Sequence, residues 1–305
     1  MSHLLSRGEA VTRLLALVAS LLLACMIVRA ADVARAVGDD ESRRVTVRSA
    51  PLRIVSLAPG ATEMLFVAGA GSQLIATVEY SDQPVAARQV PRIGDAAGVD
   101  IERLVSLRPD VVVVWPGGGN PAQIQKLEQL GIPLYRQQLN RLADMPGSLR
   151  RLGALAGTDA AADKAAHEVE ARLEQLRQRY AGGSSPTVLL QLWNRPVYTA
   201  GGPQLMTDQL QLCGARNVFA DIQQLSAVVS PEAVITRNPD IIIALAPPGE
   251  GAAWLAEWKR FGSLKAIRHG LIAFEDQGFS RLGPSAIDAT ELLCQRIAAV
   301  SRGSY

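Results

Sequence analysis

The stretch at 99–113, Val99-Asp100-Ile101-Glu102-Arg103-Leu104-Val105-Ser106-Leu107-Arg108-Pro109-Asp110-Val111-Val112-Val113, has a counterpart 130 positions on. That counterpart reads Val229-Ser230-Pro231-Glu232-Ala233-Val234-Ile235-Thr236-Arg237-Asn238-Pro239-Asp240-Ile241-Ile242-Ile243. In each copy a good N-cap residue, Asp100 or Ser230, opens a short helix with a glutamate two residues later, where the helix N-terminus favours negative charge. A proline then ends the helix and an apolar, β-branched strand follows. One unit used twice at a fixed offset predicts two similar lobes.

Working outward, β-branched runs alternate with helical patterns on both sides of each copy. Residues 53–57, 74–79, 111–115 and 132–135 read as strands, with helices at 61–68, 100–107 and 121–130. The second half repeats the plan with strands at 187–192, 240–245 and 271–274 and helices at 204–212, 230–236 and 284–299. Continuous apolar strands between helices are covered on both faces, so the fold class is α/β with two Rossmann-like lobes. Residues 158–180 hold neither Gly nor Pro and place Val169, Leu173, Leu176 and Tyr180 at helical spacing. They predict one long helix joining the lobes. The expected organisation is a signal peptide at 1–30, a disordered leader at 31–51, an N-terminal lobe at 52–157, the backbone helix at 158–181 and a C-terminal lobe at 186–305.

Composition narrows the function. Of 305 residues 48% are hydrophobic and 20% charged, which is globular, and 31 Lys and Arg against 29 Asp and Glu lack the basic excess of a nucleic-acid binder. Arg7 and Arg13 precede a 15-residue apolar run from Leu14 to Val28, short of a bilayer span and followed by Val28-Arg29-Ala30. This is the pattern of a secretory signal, which implies an oxidising compartment outside the cytosol. A retained anchor and a lipoprotein acylated at Cys25, within Leu22-Leu23-Ala24-Cys25, are the alternatives. After cleavage Cys213 and Cys294 remain, and in an oxidising compartment a disulfide is the simplest expectation, against two buried thiols.

Three histidines and three cysteines are too few for a zinc framework, and no Gly-x-Ser-x-Gly elbow occurs, so neither a metal site nor an enzyme is expected. Gly69-Ala70-Gly71 and Gly117-Gly118-Gly119 lack the strand-to-helix context of a phosphate loop. Gly117 instead follows a strand end, where open α/β sheets bind ligands and backbone can approach a bulky guest. His167 falls in the long helix and His269 in a turn, and both are expected to face solvent. Aromatics are 5% of the chain. Tyr80 and Trp115 follow strand ends in the first lobe, and Trp193, Tyr198 and Phe279 fall in comparable loops of the second. Together they would wall a cleft for a flat, apolar ligand with polar edges, burial in the core being the alternative for Tyr198 and Phe279. Trp254 and Trp258, four apart on a helix, read as packing or rim residues.

Arg53-Ile54-Val55-Ser56-Leu57-Ala58-Pro59 with Thr62-Glu63, then Tyr80-Ser81-Asp82, then Glu102-Arg103 to Trp115, resemble a known family over about residues 52–300. It is the class III bacterial solute-binding proteins, whose lobes are joined by a single helical backbone, and within it the cobalamin binders of ABC importers. The resemblance implies a monomeric, non-catalytic receptor with no cofactor of its own, which carries cobalamin or a related corrinoid to a permease and its ATPase. It implies ligand contacts at Tyr80, Trp115, Tyr198, Phe279 and Arg281, and permease docking by Glu102 and Glu232. Cys213-Gly214 and Leu293-Cys294 look like the family's disulfide-bearing segments. The pattern departs near Asp95-Ala96-Ala97-Gly98 and at Leu225-Ser226-Ala227, where the family carries tryptophans, and Trp193 is the residue available to replace one. Haem or a ferric siderophore on the same fold is the alternative cargo. Siderophore binders typically add arginine clusters, and here Arg281 stands alone.

Overall fold

A computed structural model describes residues 35–302, apart from 49, 96, 97, 119, 181, 183, 184, 276 and 277. The expected signal segment, with Cys25, lies outside the described residues. The first described element corrects the expectation of a disordered leader at 31–51. Strands β1 (Arg35–Gly38) and β2 (Arg44–Val47) form an antiparallel ribbon with Arg35 opposite Val47. Val45 and Val47 alternate into the core of the first lobe, each 4% exposed, as the two-residue period of a strand requires. Two acidic residues that read as solvated make the attachment. Asp39 Oδ1 accepts from the backbone N–H of Glu41 and Arg43 and closes the turn. Asp40, with 1% of its side chain exposed, accepts from Tyr135 Oη, Ser148 Oγ and the Gln138 N–H, and pairs with Arg151 Nε at 2.9 Å. A buried carboxylate is tolerated because its lone pairs are all taken up by donors.

The first lobe then follows in order: β3 (Ile54–Ser56), α1 (Pro59–Val67), β4 (Leu74–Ala76), α2 (Ile101–Ser106), β5 (Val111–Val114), α3 (Pro121–Gln129), β6 (Leu134–Arg136) and α4 (Met145–Ala156). Its sheet is wholly parallel in the order β4-β3-β5-β6. All four valines of β5 are buried, because α2 and α3 pack on one face and α1 and α4 on the other. Helix α5 (Asp159–Tyr180) is the predicted long helix, roughly 33 Å at 1.5 Å per residue. It lies along α4 and buries Val169, Leu173 and Leu176. Leu205, Leu282, Ala286 and Ile287 of the second lobe join the same core, so the lobes share packed apolar surface beside the helix.

The second lobe comprises β7 (Thr187–Trp193), β8 (Tyr198–Ala200), α6 (Leu205–Leu212), β9 (Arg216–Asn217), β10 (Ser226–Val228), α7 (Pro231–Arg237), β11 (Ile241–Ala246), α8 (Gly251–Trp258), α9 (Ala266–His269), β12 (Leu271–Glu275) and α10 (Ser285–Ser301). Strands β7, β9, β11 and β12 are parallel, but β8 and β10 run antiparallel to their neighbours, so this sheet is mixed. Cys213 and Cys294 are bonded and tie the C-terminus of α6 to α10. Trp254 and Trp258 are core residues at 5% and 3% exposure, and His167 is exposed beside Asp163.

The repeat holds in detail. The Asp100 and Ser230 side chains accept from the N–H three residues on and cap α2 and α7. Arg108 and Asn238, each before its proline, both adopt left-handed backbone with φ of 48° and 45°. Asp110 and Asp240 each exchange bonds at the start of a central parallel strand of their lobe: Asp110 accepts from the N–H of Arg53, just before β3, and Asp240 from that of Thr187, the first residue of β7. Both α/β lobes are thus pinned at the same corner by the same device.

Candidate functional site

Strands β3, β5 and β7 end towards the boundary between the lobes, and the loops that leave them build the site. A network of small hydroxyls holds the first wall. Thr62 Oγ1 lies 2.9 Å from Ser56 Oγ and 2.6 Å from Thr77 Oγ1, and Thr77 donates to Ser81 Oγ at 2.9 Å. Arg92 adds a bond to the Ser81 carbonyl. With Ser81 fixed from below, Tyr80 is held at φ 62° with 78% of its surface exposed. Trp115 leaves β5, and Gly118 lies flat against its indole: a Cβ there would come within 1.9 Å of the ring. That close approach is what the glycines at 117 and 118 provide.

Trp115 stands between two cavities. One, of about 110 Å³, lies within the first lobe among Leu57, Val78, Tyr80, Val99, Asn120 and Ile124. The other, of about 210 Å³, lies between the lobes. Trp115, Gly117 and Gln138 line it from the first lobe, with Gln204, Leu205 and Leu225 from the second. Leu225 approaches Gly117 from the second lobe. Trp115 Nε1 and Gln204 Nε2 are buried donors that find no acceptor among the described residues. Unpaired buried donors are costly, and a ligand oxygen is a natural partner for each.

Beside the larger cavity the lobes are joined by polar contacts. Arg281, between the lining residues Ser280 and Leu282, donates from Nη1 to Asp82 Oδ1 at 2.6 Å. Burial pushes the Asp82 carboxyl up, but the hydrogen bond and charge of Arg281 outweigh it and hold it below the ordinary aspartate range. Glu63, 6% exposed on α1, accepts from the Ser285 N–H at 2.6 Å and the Ser285 hydroxyl at 2.7 Å at the start of α10. Here burial dominates and raises the carboxyl above its usual value, against the opposing pull of the Ser285 bonds and of Arg281. Gly60 on α1 sits against the Leu282 backbone, where a Cβ would meet N, C and O at 2.7–2.9 Å.

Of the residues singled out from sequence, Trp115 and Gly117 line the interlobe cavity, Arg281 lies beside it on Asp82, and Tyr80 lines the smaller cavity of the first lobe. Trp193 and Tyr198 face each other across the β7–β8 pair, 52% and 38% exposed, and line neither cavity. Trp193 packs edge-on against Trp254 at 5.9 Å. Phe279 is corrected to a core residue: it is fully buried against Phe274 in the second lobe, where apolar packing already covers its whole ring. Sequence reading missed Gln204, Gln138 and Leu225 and gave no role to Asp82 or Glu63. The one available signal was Asp82 in the Tyr80-Ser81-Asp82 turn, a charge held directly beyond an exposed aromatic. Glu102 and Glu232 lie exposed in the first turns of α2 and α7, at matching places on the two lobes. Glu232 is held below the ordinary glutamate range, first by backbone and Ser230 hydrogen bonds. Among the described residues no cluster of His, Cys, Asp or Glu is placed to hold a metal ion, and no helix is long and apolar enough to cross a membrane.

The model of the family described as periplasmic binding protein matches residues 54–277, which spans both lobes and the helix between them. The chain belongs to that family. A vitamin B12-binding protein of Vibrio cholerae serotype O1 is 33% identical over 247 residues, 79% of this chain and 87% of that protein. One from Yersinia pestis is 30% identical over 248 residues, 81% and 87% of the two chains. Among solved structures, the periplasmic vitamin B12 binding protein of Vibrio cholerae superposes with a TM-score of 0.76 at 30% identity, over 82% of this chain and 98% of that one. A periplasmic heme-binding protein of Roseiflexus superposes at 0.70 with 24% identity, over 82% and 98%, and shares the fold. The fold is therefore that of the two-lobed, helix-backed periplasmic binding proteins, and the proteins it resembles bind solutes.

Proposed function

We propose that this protein is a periplasmic receptor that takes up cobalamin or a related corrinoid between its lobes and passes it to the permease and ATPase of an ABC importer. The observation that carries this reading is the identity to vitamin B12-binding proteins across both lobes, at 33% and 30%. The boundary supports it. An exposed Tyr80 and the Trp115 indole offer apolar faces for a macrocycle. Trp115 Nε1 and Gln204 Nε2 offer neutral donors suited to amide carbonyls at its rim. Tyr80, Trp115, Gly117 and Arg281 are the contacts assigned to the ligand, with Trp193 and Tyr198 as the outer edge of the site. Glu102 and Glu232, one on each lobe, form a pair of negative points that basic residues of a permease would grip.

The test is calorimetric titration of residues 31–305 with cyanocobalamin at protein concentrations suited to micromolar or tighter binding. Saturable one-to-one binding is expected. Neither heat nor retention in equilibrium dialysis would refute the ligand, and haem and ferric siderophores would then be the cargo to test on the same fold.

A further inference from the structure

Charge at the lobe boundary is distributed unevenly. Among the described residues neither Lys nor Arg lines either cavity, and the larger, interlobe one is lined by no charged side chain. Arg281, between the lining residues Ser280 and Leu282, is one-quarter exposed and already engaged by Asp82 at 2.6 Å. Glu63 lies close enough for its charge and that of Arg281 to act on each other. The exposed Arg88 adds its field on the Asp82 side of the pair. Trp115 Nε1 and Gln204 Nε2, the buried donors that find no acceptor among the described residues, are neutral. A ligand carboxylate entering the larger cavity finds no cation in its lining and must displace Asp82 before it can use Arg281. An amide carbonyl can pair with neutral donors that hold no acceptor among the described residues.

We propose that Asp82 sets the charge selectivity of this cleft: by holding Arg281 across the lobe boundary it denies ligand carboxylates their cation, so that an uncharged, amide-rich macrocycle is taken in preference to a dianionic porphyrin. This deepens the cobalamin reading and rests on it for the identity of the favoured ligand. Asp82 acts through Arg281 and needs no contact with the ligand, so its removal changes the ranking of ligands more than the affinity for the neutral one.

The experiment titrates hemin and cyanocobalamin, by tryptophan quenching at low salt, into the wild type, Asp82→Ala, the shape-preserving Asp82→Asn and Asp82→Ala with Arg281→Gln. Thermal melts confirm that each is folded. Both single variants should bind hemin about tenfold more tightly, with cyanocobalamin changed by less than about twofold. Removing Arg281 as well should cancel the hemin gain. Unchanged hemin affinity in both single variants would overturn the proposal, as would a gain that survives loss of Arg281. The wild-type titration separately decides the ligand: a wild type that binds hemin and ignores cyanocobalamin sinks the cobalamin reading, while the hemin ratio between variants still reports on Asp82.

Discussion

Gly60→Ala is a substitution on which two effects of opposite sign compete. Gly60 lies in the first turn of α1, and alanine in place of glycine favours a helix by up to about 1 kcal/mol. Against that, the new Cβ would meet the Leu282 backbone at 2.7, 2.8 and 2.9 Å from N, C and O. Backbone cannot rotate away as a side-chain tip can, so the segment leading into α10 has to shift. Overpacking of this kind costs roughly 1–3 kcal/mol. The same segment carries Arg281 and Ser285, and its displacement loosens their bonds to Asp82 and Glu63. The net expectation is destabilisation by about 1–2 kcal/mol, a fall in Tm of roughly 3–6 °C, with a larger radius of gyration in small-angle scattering. Differential scanning calorimetry reads the first and scattering the second. A Tm equal to or above the wild type would refute the claim that the lobes meet at this point.

Reducing the bond between Cys213 and Cys294, or replacing both residues by alanine, should lower stability in urea by about 2–5 kcal/mol, since the bond closes a separation of 81 residues. Glu63 gives a pH signature. Its folded-state pKa lies above the ordinary 4.5, so the folded state holds the proton longer, and stability from this group is full below 4.5 and falls as pH rises through the folded value. Glu63→Gln should therefore gain on the wild type between pH 4.5 and 7 in paired urea unfolding curves, and a constant difference would remove the assignment. Asp82 has the opposite sign: its contribution is present above its ordinary value and lost on acidification. Glu102→Lys with Glu232→Lys should abolish transport in whole cells and leave cyanocobalamin affinity of the isolated protein unaltered. Normal uptake by that double variant would remove the docking role.

What could be read from the chain divides by range of interaction. Helix α5, the caps of α2 and α7, and the buried strands β5 and β11 are written in local periodicity, and the 130-residue repeat carried them to two lobes. The β1–β2 ribbon was not legible, because Asp39 and Asp40 have the composition of a solvated segment, and Asp40 is buried only through Tyr135, Ser148 and Arg151, and Asp39 tied in only through the Arg136 N–H, about a hundred positions away. The antiparallel arm of the second sheet escaped for a related reason: β8 and β10 are three residues each, too short to show a period. At the site, strand ends located Tyr80 and Trp115, but Phe279 and Tyr198 share the same loop context and fall on opposite sides of the surface. Gln204 and Leu225 are ordinary residues that matter only because the two lobes bring them to one space.

The attachment of the N-terminal ribbon also settles how the molecule bears a mechanical load. Any pull from the chain upstream of Arg35 enters along β1, is shared with β2 through their antiparallel ladder and with α4 through Arg35 Nη1 and the Ala154 carbonyl, and ends in the Asp40 cluster. These bonds all belong to the first lobe. The second lobe is left off the load path, so a receptor held by its N-terminal end can keep its lobe boundary unstrained.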